Sequence, residues 1–513
     1  MVPDVLRLAR SAIAGGVIAA SAPVASSDPL IDALARTYHV DSPEGADNIV
    51  IHGIGVEHRS AEAQGHSPFR ETTARSEIWI GVAPSERSLL FEFRIGRHDG
   101  SERWRRRVIR GDTTVMVDYV DAASSVSASD ASEATRRRLG RFLLHTLVRE
   151  VYETGGPTQR LPDEEAVSAG RKSAVIRTTL RGERTPLELL IDTPSGQLVA
   201  ARYNIEFPGI GPTRVTQEFR DQRRDSLLGW MPTRIVTRLD TAIYRELGIV
   251  RAERSRSLLD SLLAGTKLVQ GAPAVAAGTA IGRPTRDTII TVAPGAHVLR
   301  AIGGLYNMFI VEQPDGLFVA EAPAIHPSLD EWPASPASDV LRLSTDAIRL
   351  ISARFPGVPI RRVMPTHFHS DHAAGVAAFV DVGARIVAAP EDSAYFVGLC
   401  SRCRYTPAFD IVRDSASFGG GGNRLVIHTL RHGAHAANNS FVWLPRDRVV
   451  FQGDLFYVNP DGTLPESRLG VMREFVAFLD RRHIAPAIVW GMHGGRAAGS
   501  ADLERVRHGD TGH

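Results

Sequence analysis

The stretch Val363-Met364-Pro365-Thr366-His367-Phe368-His369-Ser370-Asp371-His372 decides how this chain is read. Residues 360–365 before it have the apolar pattern of a buried strand, and residues 373–380 after it start a helix. His367 and His369 are two apart, so extended backbone projects them to the same side. Asp371 and His372 follow as the chain turns into the helix, and enter the same space from another direction. A lone histidine is ordinary core or surface; four metal-ligating residue types within six positions at a strand end are not a packing pattern.

Three later segments extend the cluster. Gly433-Ala434-His435 opens a hairpin whose turn is Arg446-Asp447-Arg448 and whose second strand ends in Gln452-Gly453-Asp454. An apolar strand then ends in Gly491-Met492-His493-Gly494-Gly495. Each segment delivers one polar side chain at or near a strand end, where loops build sites on a rigid scaffold.

In this order the motifs H-x-H-x-D-H, a single His, G-D and G-x-H-G resemble the metallo-β-lactamase superfamily over residues 287–500. The resemblance implies an αββα sandwich, two mixed sheets with helices outside. It also implies a ligand set: His367, His369 and His435 on one metal, Asp371, His372 and His493 on a second, and Asp454 between them, with Asp371 also orienting the attacking water. It favours His435 over His432 as the single His. His483 reads as a helix-end or surface residue. Imidazoles and carboxylates suit Zn2+, two ions per chain, with iron or manganese also compatible. Flavodiiron relatives differ, having Glu at the position of His369.

Two departures matter. Where many relatives have Asp-Thr-Gly, this chain has Glu321-Ala322-Pro323. Glu321 reads either as a carboxylate that orients a ligand histidine or as an ion-paired loop residue. Asp454 is generally missing from true β-lactamases with this motif, so the pattern favours thioesterase, lactonase and phosphodiesterase branches.

The remaining sequence sets the context. A net charge of +2 gives no reason to expect nucleic acid as a partner. Lys172 and Lys267 are the only lysines, and arginine strings such as residues 105–107 and 136–138 read as solvated faces. Cys400 and Cys403 form one C-x-x-C, too few ligands for a cysteine zinc site. Residues 1–27, with Arg7 and Arg10 before an Ala/Gly-rich run, read as a secretory signal cleaved near Ala22 or Ala25, or as a flexible start. Export to the periplasm follows from the first reading, a cytoplasmic location from the second. No other segment nears the ~20 apolar residues of a membrane span.

Residues 28–257 alternate as strands, notably 76–82, 89–95, 114–120, a hairpin at 186–206, 213–219 and 232–239, with one helix within 132–152. A β-rich antiparallel α+β domain is expected there, vaguely similar to lipid-carrier half-barrels. Residues 258–286 read as a linker and 501–513 as a tail. Substrate contacts are expected from residues 323–338 (His326, Trp332) and 391–423 (Tyr395, Phe396, Tyr405).

The expected function is metal-dependent hydrolysis of an ester, thioester, lactone or similar bond in a small-molecule substrate. The alternatives are a mononuclear iron dioxygenase of the same fold and an exported lipid or ligand carrier with a non-catalytic metal domain. Oligomeric state is not legible.

Overall fold

The computed structural model describes residues 28–509, apart from 43–46, 59–72, 97–101, 121–122, 131–132, 155, 167–170, 208–210, 265–288, 303–305, 326–339, 459–461, 466–467 and 494–495. The expected signal segment, most of the expected linker, His326 and Trp332 therefore lie outside the described residues.

The first part is a thirteen-stranded antiparallel sheet. Its order runs from Ala123–Asp130 at one edge back to Ile49–His58, crosses to Ala242–Arg254, and runs back to Gln159–Ala166 at the other edge. The central pair thus joins the first strand to the last. Alternation sends every second side chain to each face. Ile49, Ile51, Ile78, Ile80, Phe91 and Phe93 face one side, where they pack with helices Pro29–Thr37, Glu133–Gly140 and Leu144–Thr154. Val50, Leu90 and Val108 face the other, beneath Leu259 and Leu263 of helix Arg256–Ala264.

Four expectations are corrected here. The helix expected within 132–152 is two helices, broken after Gly140, with Phe142 and Leu143 turned into the core between them. The segment read as linker begins as a helix, because its leucines recur on one face and cover the sheet. The segment read as tail begins as helix Ser500–His508, which buries Leu503 and Val506. The arginine strings are not solvated faces. Arg106 is buried, paired with Glu92 at 3.3 Å and donating to the Leu262 carbonyl; Arg136 donates to the Gly111 carbonyl; Arg138 pairs with Glu183 at 2.8 Å.

From Ile289 the chain forms two mixed sheets. The seven-stranded sheet starts as an antiparallel meander through Ile289–Ala293, Ala296–Ile302, Tyr306–Gln313 and Gly316–Ala320. It continues in parallel through Ile360–Met364, Arg385–Ala388 and Phe409–Ile411. The six-stranded sheet runs from Ser415–Phe418 to Ala498–Gly499, and its one parallel pair is Val449–Gln452 with Ile488–Gly491. The sheets share a core of Val298, Phe309, Phe318, Met364, Ile427, Val442 and Phe451, in which Phe309 and Phe451 stack at 5.2 Å. Helices Arg342–Arg354, Val376–Val380 and Ser393–Leu399 cover the outside of the first sheet. Helices Leu469–Arg481 and Ser500–His508 cover the second. The result is the expected helix–sheet–sheet–helix order.

Charge also enters the packing of the first part. Arg141 is fully buried, its guanidinium held by Glu150 at 2.5 Å and Glu183 at 2.8 Å. Burial alone would hold the Arg141 pKa down, but the two carboxylates raise it. Removing one partner of a buried pair leaves uncompensated charge and costs about 3–5 kcal/mol. Arg141→Ala is therefore expected to lower the midpoint of chemical unfolding clearly; an unchanged midpoint would show that the pair contributes nothing.

Candidate metal centre

The parallel strands of both sheets end on one edge of the sandwich, and their exits build the site. Gly316–Ala320 leads into Glu321, Ile360–Met364 into Thr366 to His372, Val449–Gln452 into Asp454, and Ile488–Gly491 into His493. The turn between Leu425–Arg431 and Asn438–Leu444 carries His435. Backbone bonds tie the exits together: Ser440 N–H donates to the Thr366 carbonyl (2.7 Å) and Asn307 N–H to that of Met492 (2.7 Å), each joining one sheet to the other.

All seven residues expected as ligands converge. The donor atoms of His367, His369, His435 and Asp454 lie within 4.8 Å of one another, as do those of Asp371, His372 and His493. In the first group His367 Nε2 is 2.9 Å from His369 Nδ1 and 3.2 Å from His435 Nε2. In the second, His493 Nε2 is 3.3 Å from His372 Nε2 and 3.2 Å from Asp371 Oδ2. A tetrahedral zinc with nitrogens at about 2.0–2.1 Å holds them about 3.3 Å apart. Asp454 spans the groups: Oδ2 is 3.1 Å from His435 Nε2, and Oδ1 is 3.2 Å from His372 Nε2 and 3.3 Å from His493 Nε2. That buried Oδ1 has no hydrogen-bond partner, although two imidazole nitrogens lie within 3.3 Å of it. An orphaned buried carboxylate oxygen among imidazole nitrogens fits a cation. His432, the rival, instead turns the backbone at φ 55° before the His435 loop, and His483 does the same after helix Leu469–Arg481.

The electrostatics agree. Burial, with His372, His369 and His435 nearby, pushes His367 well below its usual pKa, so it stays neutral with a lone pair to give. Burial opposes charge on His372, yet Glu321, Asp371 and Asp454 outweigh it and raise its pKa. Burial also opposes charge on Asp454, but His493, His372 and His435 hold it well below the carboxylate range. Two carboxylates buried among these rings, Glu321 and Asp454, with Asp371 partly exposed beside them, call for positive charge.

Residues 335–504 match the family described as the metallo-beta-lactamase superfamily. The C-terminal region of this chain has the metallo-beta-lactamase fold. Similar solved structures include a metallo-beta-lactamase from Pseudomonas aeruginosa in its mono-zinc form, at 23% identity over 43% of this chain and 93% of that one, TM-score 0.32. A metallo-beta-lactamase from Pontibacter korlensis is 18% identical over 44% and 97% of the two chains, TM-score 0.31. A stereoselective inverting sec-alkylsulfatase from Pseudomonas sp. is 14% identical over 43% and 40%, TM-score 0.30. No curated protein matches the chain.

Within the metallo-beta-lactamase fold, Glu321 takes the first of its two readings. It is fully buried at φ 79°, its Oε1 3.2 Å from His372 Nδ1 and accepting from Thr366 Oγ1 at 2.7 Å. Donation of the Nδ1 proton to Glu321 fixes the tautomer that leaves Nε2 free for a metal. Thr366 is a hub that motif reading misses: its Oγ1 also lies 3.2 Å from His367 Nδ1 and 3.3 Å from His372 Nδ1. Buried amides brace the loops. Gln452 Oε1 accepts from the Leu455 and Phe456 N–H groups around Asp454, Asn307 Nδ2 donates to the Gly491 carbonyl, and Asn439 Nδ2 to that of Ala436. Of the loop residues expected to meet substrate, Tyr395 packs on Phe368 at 6.0 Å, which packs on His369 at 4.8 Å. Phe396 and Cys400 are buried in the core outside the first sheet, and Tyr405 is exposed. The cysteines are unpaired thiols, and burial pushes both thiol pKa values up. Tyr306 and Tyr457, not anticipated, flank His493 at 5.3 and 6.2 Å.

Two substitutions test this scaffold. Glu321→Ala is expected to weaken zinc affinity about 10–100-fold, read by competition with a chelating dye. A Cβ on Gly453 would lie 2.2 Å from Thr366 Oγ1. Gly453→Ala should therefore displace the Asp454 loop and lower the metal content of folded protein; full metal content would show that the loop tolerates a side chain.

Proposed function

We propose that the domain with the metallo-beta-lactamase fold is a dinuclear, zinc-dependent hydrolase acting on an ester, thioester, lactone or similar bond. The observation that carries this reading is Asp454, whose two oxygens each face a different ligand group. Held between these groups by the seven side chains, a pair of divalent cations would supply a water activated at neutral pH and would polarise the carbonyl of the bond to be cleaved.

The chain's own residues do the rest. His367, His369 and His435 present three imidazole nitrogens on one side, and Asp371, His372 and His493 complete the other. Asp371 is held ionised: burial opposes this, but His372 and His493 overcome it. Partly exposed beside His493, Asp371 accepts a hydrogen bond from the attacking water and so orients it. Tyr457 keeps its proton, because burial and the charge of Asp454 both oppose ionisation. Its hydroxyl faces Asp454, so it steadies the carboxylate that lies between the two ligand groups. Phe368, Tyr395 and Tyr306 supply apolar surface for the substrate's carbon skeleton.

The test is elemental analysis of purified full-length protein together with a panel of esters, thioesters and lactones, before and after chelation. About two zinc ions per chain are expected, with activity lost on chelation and restored by zinc. His367→Ala and Asp454→Ala should lower metal content and kcat/KM together, kcat/KM at least about 100-fold. One iron per chain with no need of a second metal would instead favour the dioxygenase, and turnover by metal-free protein would overturn both.

A further inference from the structure

The outer face of the thirteen-stranded sheet carries a cleft of about 700 Å³, built from none of the metal-centre residues. Helix Arg256–Ala264 covers Val50, Leu90 and Val108 of that face. The cleft lies further along it, over Leu190, Ala200 and Pro212. Its wall comes from a bulge. The register of edge strand Gln159–Ala166 shifts between Leu161 and Glu164. Glu164 then reaches past two intervening strands and accepts from Arg202 with both oxygens, at 2.7 and 2.8 Å. Bulges re-aim side chains in this way. A merely solvated face does not account for the cleft, because Arg202 and Glu218 are buried in its lining, and burying charge is costly unless it is paired and held in place.

The strand register shows what the lining lacks. Directly opposed residues form one row across five strands: Arg177, Glu188, Arg202, Thr216 and Arg238. Opposite charges facing each other across strands are favourable, and like charges are not. The row alternates in sign until Thr216, a neutral hydroxyl between two arginines. Arg214 stands two residues before Thr216 on the same strand and therefore on the same face. Thr216 thus has arginine neighbours on three sides, at the position where alternation calls for negative charge.

Internal pairing leaves donors over. Arg202 spends its three nitrogens on Glu164 and Glu188. Arg238 gives Nε to Glu218, which Arg220 also holds, and Nη1 to the Thr241 carbonyl. Arg214 Nε is 3.5 Å from Asn204 Oδ1, the limit of a hydrogen bond. Both Nη atoms of Arg214, Nη2 of Arg238 and the Thr216 hydroxyl make no hydrogen bond among the described residues. The remaining carboxylate, Asp240, is exposed at the end of its strand and accepts the Arg214 backbone N–H at 2.9 Å. Guanidinium nitrogens in a fixed fork beside a hydroxyl match the oxygens of a carboxylate or phosphate.

We propose that this cleft binds a small organic anion, its carboxylate or phosphate held by Arg214, Thr216 and Arg238 and its carbon chain lying along Leu190, Ala200 and Pro212. The cleft has the size of a small-molecule site, about 300–1,000 Å³. The ligand supplies the negative charge that the row across the strands omits. This site is separate from the metal centre and does not depend on the hydrolase reading.

The experiment is calorimetric titration of the purified full chain with hexanoate, hexyl phosphate and hexanol, which share one carbon chain and differ in the head group. Wild type should bind at least one of the anions about tenfold or more tighter than hexanol, and the tighter one identifies the oxyanion. Arg214→Gln should remove that preference with metal content unchanged, and Arg214→Lys should keep part of it. Thr216→Glu, which completes the alternation with the chain's own carboxylate, should also remove it. No preference for either anion in wild type would overturn the proposal. So would a preference that survives Arg214→Gln or Thr216→Glu, since the anion would then be held elsewhere, the metal centre included.

Discussion

Crowding three carboxylates, two of them buried, among five imidazoles in one small volume is the constraint on which the second half of this protein is organised. Glu321, Asp371 and Asp454 surround the rings, of which His367, His369 and His372 are shielded from water. Such a cluster is stable only when the charges offset each other and each lone pair meets a proton or a cation. Asp454 feels this most sharply, because one of its oxygens is buried without a hydrogen bond. Metal affinity here is the counterpart of that frustration: the fold concentrates negative charge and lone pairs where water cannot relieve them.

The scaffold affords this because no single element carries the site. Five loops arrive from two sheets, and each is fixed by bonds made to another loop or by a buried amide. Gln452, Asn307 and Asn439 have no part in ligation, yet each bonds to backbone groups next to a ligand. Amides suit this task because they donate and accept without adding charge to a region already crowded with it.

The site was almost wholly legible in the sequence, for a physical reason. Ligands must be specific residue types, and H-x-H-x-D-H at a strand end leaves few other readings. Glu321 was visible as an anomaly, and its role needed the distance to His372. Thr366 and Tyr457 were not legible, since a hydroxyl and a phenol are common in loops and only their approach to the histidines gives them meaning. The first half was legible only as a class. Strand Glu102–Arg110 reads as a charge run because five of its nine residues are arginine, yet the sheet buries Arg106 against Glu92. Strand Ile49–His58 is interrupted by Gly53 and Gly55, which lets it lie against Ala242–Arg254, where a Cβ on Gly55 would overlap the Glu246 carbonyl. Partners so distant in sequence leave no local trace.

That pairing of first strand with last has a consequence for synthesis. Ile49 aligns with Arg254, so the middle of the thirteen-stranded sheet closes only after about 200 further residues have left the ribosome. Until then Ile49–His58 has Thr73–Ala83 on one side and an open row of backbone donors and acceptors on the other. A chain stalled or truncated in that interval presents a sticky edge, and its survival depends on holdase chaperones rather than on the stability of the finished protein.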